Sequence, residues 1–143
     1  MKTFVDNNGK TWTININVAT IKRVKDLLGV NLMEAITGDL ITKLEDDVIL
    51  FVDVLYCVCK QEADANNITD EMFGASLAGD ALEQATEAFL TDLIDFFPAA
   101  KRQIFRKAFQ KQKEAETMAV QKMDKKLEAL DLEKIIENKL ANI

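Results

Sequence analysis

The sequence predicts a mainly α fold with a small N-terminal β-hairpin (α+β), in which a helical domain is followed by a C-terminal helical tail. Three observations predict it. Residues 3–18 hold the one clear period-two alternation, with Trp12, Ile14, Ile16 and Val18 apolar and Thr11, Thr13, Asn15 and Asn17 polar. From residue 20 onward, apolar residues recur at three- and four-residue spacing, the mark of helix. Gly29, Gly38, Gly79 and the single proline, Pro98, fall between those runs, where helices are expected to end or begin.

The hairpin comes first. A two-residue Asn8-Gly9 turn would set Val5 opposite Trp12. A type I turn over Asp6-Asn7-Asn8-Gly9, with Gly9 left-handed as a G1 bulge, pairs Asp6 with Lys10 and Phe4 with Trp12 instead. That register places Phe4 on the face of Trp12 and Ile14 and is therefore the expected one. An isolated hairpin is marginal in water, so this one should lie on the helices that follow. Asp6, Asn8 and Gly9 also suggest a calcium loop, but Thr11 to Val18 supplies neither the further oxygen ligands nor the closing glutamate.

The helices follow in order. Thr20–Leu28 reads as a short amphipathic helix with Ile21, Val24, Leu27 and Leu28 as its buried stripe and Gly29 as its stop. Asn31 is placed to cap a brief turn, Leu32–Ile36, and Asp39 to cap Leu40–Leu44. Val48–Lys60 is apolar almost all round, which predicts a helix at the centre of the core. Asp64–Asn67 reads as a polar loop, and Thr69 as the N-cap of a helix opening on Asp70 and Glu71. Gly79-Asp80 begins a long helix in which Leu82, Ala85, Phe89, Leu93 and Phe96 share a face.

From Ala99 the pattern is helical to about Ala129. Ile104, Phe105, Ala108 and Phe109 look core-like, whereas residues 110–117 carry no apolar stripe. Beyond that gap Val120, Met123, Leu127 and Leu130 form a seam of two heptads, and Asp131 can cap a last helix with Ile135, Ile136 and Leu140 on one side. The chain is accordingly divided into a hairpin-plus-helix body, 1–112, and a tail, 113–143. Val120, Met123, Leu127, Leu130, Ile135, Ile136 and Leu140 are the candidate partner-binding residues, and self-association through them is one expected use.

Composition narrows the chemistry. A chain of 143 residues with 48% apolar and 29% charged content suits a globular domain. No apolar run approaches the ~20 residues of a membrane span, and Met1-Lys2 leads straight into the hairpin, so no leader sequence is expected. Histidine is absent, and Cys57 and Cys59 lie on different sides of one helix, which predicts two buried free thiols and no metal site. Ser76 and Tyr56 are the only serine and tyrosine, so the usual nucleophile–base pairs are missing. Glu83 with Glu87, and Asp92 with Asp95, share helix faces and read as a solvated polar flank. Neither a catalytic residue nor a cofactor is expected, and the chain is read as non-enzymatic.

Charge is unevenly spread. Residues 1–100 hold 7 basic and 17 acidic side chains, net −10, and residues 101–143 hold 11 and 7, net +4. Lys101, Arg102, Arg106, Lys107, Lys111 and Lys113 are the one basic stretch suited to phosphates, but without base-reading motifs they are expected to pair with acidic surface, and nucleic acid is not an expected partner.

Thr11-Trp-Thr-Ile-Asn-Ile-Asn-Val18, Ile21-Lys-Arg-Val-Lys25 and Leu28-Gly-Val-Asn-Leu32, with Leu77-Ala-Gly-Asp-Ala-Leu82 and Asp95-Phe-Phe-Pro98, resemble tail assembly chaperones of tailed phages and prophages. The resemblance covers roughly residues 3–110. It implies a helical adaptor of the bacterial host cytoplasm that binds the tape-measure protein, brings tail-tube subunits to it and uses no cofactor. The alternative within the same setting is a structural tail-completion or connector subunit of the virion.

Overall fold

The structure, a computed structural model, describes residues 1–129 and 132–141. It is mainly helical with one two-stranded antiparallel sheet at the N-terminus. Strands β1 (Lys2–Val5) and β2 (Thr11–Ile14) pair with Phe4 opposite Trp12, the register expected from the turn. The Gly9 amide donates to the Asp6 carbonyl (3.1 Å), the Asp6 amide donates to the Lys10 carbonyl (2.9 Å), and Gly9 has φ +81°. A side chain at Gly9 would meet nothing within 4 Å, so the backbone angle rather than space calls for glycine.

The strand is shorter than the alternation implied. Ile16 is buried, but Asn17 leaves the sheet and caps α1 (Val18–Leu28) by accepting from the Thr20 amide (3.0 Å). Val18 therefore opens a helix and is 71% exposed instead of continuing the apolar strand face. A good N-cap has overridden the period-two pattern. Gly29 ends α1 in the left-handed conformation as expected. Ile21 and Val24 are buried, but Leu27 and Leu28 are exposed, so the buried stripe stops one turn early.

Asn31 accepts from the Met33 amide (3.0 Å) ahead of α2 (Glu34–Thr37). Asp39 precedes α3 (Leu40–Asp46) but caps no amide; its carboxylate pairs with Lys43 (3.4 Å). Asp47 accepts from the Leu50 amide (3.1 Å) and opens α4 (Val48–Val58). The expected single helix to Lys60 breaks at Cys59, and α5 (Lys60–Ala65) takes in part of the expected polar loop. Thr69 caps α6 (Asp70–Ala75) through the Met72 amide (3.2 Å), and α7 (Asp80–Phe96) starts after Gly79. Phe97 is extended ahead of Pro98, as a residue before proline should be, and α8 runs from Ala99 to Ala129. A final helix, α9, spans Leu132–Ala141.

The chain forms two compact units, Met1–Arg102 and Gln103–Ile143, a division earlier in α8 than the 112/113 boundary read from the sequence. In the first unit the hairpin packs on α7, while α4 packs against α1, α3 and α6. Trp12 is 0% exposed and meets Phe73 of α6 edge-on, ring centres 4.9 Å apart, and Phe51 of α4 meets Phe89 of α7 at 5.6 Å. The second unit holds most of α8 and α9. No α8 residue is buried, so Ile104 and Ala108, expected in a core, are exposed, and Phe105 and Phe109 are half-buried.

Candidate functional site

Three carboxylates position the hairpin. Asp6 is buried in the turn. Its Oδ1 accepts from the amides of Asn8 and Lys10 (both 2.9 Å), and its Oδ2 accepts from the Trp12 indole N–H (2.9 Å). Burial alone would raise its pKa, but the bonds from Trp12, Lys10 and Asn8 together hold it below the ordinary 3.8. Ser76 adds to this effect while sharing its one proton with the Phe73 carbonyl, 2.6 Å away. Both oxygens thus accept from protein donors.

Asp92 and Glu62 hold the second strand from two sides. Asp92 of α7, only 4% exposed, accepts from the Ile16 amide (2.7 Å) and pairs with the Met1 α-amino group (2.6 Å). This corrects the reading of Asp92 as part of a solvated flank: α7 turns it towards backbone donors at the end of the hairpin. Glu83 and Glu87 do lie on the exposed side, and Asp95 is half-buried with Lys2 at 3.7 Å. Glu62 of α5 accepts from the Thr13 amide and pairs with Lys10, each at 3.2 Å.

A cavity of about 310 Å³ lies beside this second anchor, lined by Thr13, Asn15, Arg23, Cys59 and Glu62 among others. Several of its polar groups, Arg23 and Glu62 among them, are committed to structure. Arg23 donates to the carbonyls of Cys57 (3.1 Å) and Val58 (3.4 Å) at the end of α4. Burial pushes the Cys59 thiol up to about 12, with the Glu62 charge adding to it, so that thiol is no nucleophile at neutral pH. Cys57 is also buried and raised, by burial first and the Asp53 charge second. Among the described residues no cluster of three potential metal ligands occurs, and no helix is long and apolar enough to cross a membrane.

The candidate partner-binding residues lie in the second unit. Val120, Met123 and Leu127 are exposed on α8, and a 100° step per residue puts them within roughly 60° of one another around its axis. Ile136 and Leu140 are exposed on α9. Leu130, Asp131 and the side chain of Ile135 lie outside the described residues. What the structure brings together is thus an open apolar strip on α8 and a second exposed pair on α9. Sequence reasoning missed one further apolar surface. Helix α4, expected at the centre of the core, is buried on one side only, and Val48 and Ile49 are exposed. The available signal was the acids Asp46, Asp47 and Asp53 interrupting the apolar run. Comparison of the chain with protein-family models, curated proteins and solved structures found no match.

Proposed function

We propose that this chain is a non-enzymatic phage tail assembly chaperone that acts in the bacterial host cytoplasm, binds the tape-measure protein and assists assembly of the tail tube. The observation that carries the reading is the strip Val120, Met123 and Leu127, apolar and exposed on a helix of 31 residues. An amphipathic helix of this kind suits capture of a long apolar client, since its face stays in water until a partner covers it. The acidic balance of residues 1–100 supports solubility of such a complex. The motifs in residues 11–32 and 77–98 supply the resemblance that names the client.

Co-expression with a phage tape-measure protein tests the proposal. The client should become soluble and co-purify with this chain, and Val120→Asp with Leu127→Asp should abolish both effects while leaving the first unit folded. Failure of the wild-type chain to solubilise or bind the client refutes it. Mass spectrometry of purified particles separates the alternative, a tail-completion or connector subunit. The chaperone should be missing from mature virions, and the structural subunit should be present in stoichiometric copies.

A further inference from the structure

Helix α4 is apolar on all sides yet covered on one. A 100° step per residue places Phe51, Val54, Leu55, Cys57 and Val58 on the side buried in the core. Val48, Ile49, Val52, Asp53 and Tyr56 fall on the opposite side, within roughly 140° of one another. Ile49 is 73% exposed, Val48 is exposed and Val52 is half-buried. Exposed Asp46 and Asp53 flank them. A helix with apolar residues left in water and acids at the rim has the character of one half of an interface.

A surface of matching character lies on α8. Ile104, Ala108, Lys111, Ala115, Met118 and Lys122 follow one another at four- and three-residue intervals and so form a single stripe along the helix. All six are exposed, Ile104 at 69%, and exposed Lys101 and Lys107 flank the stripe. The stripe contains no acidic residue. The two alanines would let the helix backbone approach Ile49 and Val52 closely. The lysines carry the charge opposite to Asp46 and Asp53.

We propose that the Val48–Ile49–Val52 face of α4 is covered by the Ile104–Met118 stripe of α8 from a second copy of this chain. Two different patches then meet, so copies either close reciprocally, as a two-fold dimer or a ring, or add head-to-tail with one unused patch at either end. The strip Val120, Met123 and Leu127 lies roughly 100–160° away around α8 and is not used by this contact.

The test is complementation between two blocked molecules, with association followed by sedimentation velocity. The wild-type chain should associate with rising concentration, and more weakly at about 500 mM than at about 50 mM salt. Ile49→Lys blocks the α4 face and Ile104→Glu blocks the α8 stripe, so each alone should associate at least tenfold more weakly. Mixed in equal amounts, they should form a dimer that grows no further, because each supplies the patch the other lacks. Asp53→Lys and Lys111→Glu provide a second pair should either first variant fail to fold: each alone should associate more weakly, and their mixture should regain association and growth, because the exchanged charges again oppose one another. A wild-type chain that stays monomeric at low salt, or mixtures that stay monomeric, would overturn the proposal. So would a lowered thermal midpoint for Ile49→Lys without loss of association, since that result assigns the α4 face to a contact within one molecule.

Discussion

Replacing Asp6 by asparagine keeps the shape of the turn and takes one acceptor from a buried donor. The aspartate serves three N–H groups with two oxygens: the Asn8 and Lys10 amides on Oδ1, and the Trp12 indole on Oδ2. Asparagine offers one oxygen, and asparagines in such turns use it on the backbone amides. Its NH2 then faces the indole N–H, donor against donor, and Trp12 has no exposed surface through which water could help. A stranded buried donor costs ~1–3 kcal/mol, with loss of a charged acceptor pushing towards the upper end. For a chain of this size that corresponds to a melting shift of roughly 3–10 °C. Urea unfolding followed by circular dichroism is well suited, because the fold is mainly helical and the signal survives substitution of Trp12, the only tryptophan. Trp12→Phe removes the donor, so Asp6→Asn should cost clearly less in that background. The pH dependence has a definite sign. Asp6 has its pKa lowered by folding, so its contribution is present above the unfolded value near 3.8 and lost as pH falls through the lower folded value. The gap between wild type and Asp6→Asn should therefore be full at neutral pH and close in acid below that point. Equal costs in the two backgrounds, or a gap independent of pH, would refute the assigned role of the carboxylate.

Further outcomes are expected. Trp12→Ala should lower stability by ~3–5 kcal/mol in urea unfolding, the range for large aromatic truncations in cores, and Gly9→Val should lower it by ~1–2 kcal/mol through the left-handed backbone alone. Asp92→Ala strands the Ile16 amide and should cost ~1–3 kcal/mol in the same assay, whereas Glu87→Ala on the exposed side of the same helix should stay within about 0.5 kcal/mol. Cys59 should resist thiol reagents at pH 8 in the folded protein and react only as the chain unfolds, which timed labelling with mass detection will show. Truncation after Gln112 should leave the thermal midpoint of the remaining chain unchanged while abolishing client capture; a lowered midpoint would mean that the removed residues stabilise the first unit.

The parts of the fold legible in the sequence are those set by neighbours along the chain. The hairpin register follows from four turn residues, and the cap at Thr69 follows from an oxygen three residues ahead of the amide it accepts from. What stayed hidden depends on partners far away in sequence. Nothing in Asp92 or its helical neighbours reveals that the Ile16 amide will reach it, and Leu27 and Leu28 are exposed although their spacing continues the buried stripe of α1. Asn17 marks the boundary between these cases. Its capping bond is local, but the strand alternation running through it hid the helix start. The candidate partner strip on α8 was legible because its spacing is helical and its exposure needed no partner. The second face of α4 was not, because hydropathy alone cannot separate an apolar residue in a core from one held at a surface.

The three buried or half-buried carboxylates and the exposed apolar faces are linked by a physical requirement. A protein that leaves Ile49, Met123 and Leu127 in water loses the stabilisation that covering them would contribute, about 25 cal/mol for each square ångström of apolar surface. The first unit must then hold together by other means. Asp6, Glu62 and Asp92 do this for the hairpin, because each accepts from a backbone or indole donor that would otherwise be left unpaired inside the protein. Such bonds depend on direction and distance, so they fix the hairpin in one position, whereas apolar contact alone would tolerate sliding. The exposed faces of α4 and α8 are the surfaces on which the proposed contacts with other molecules rest.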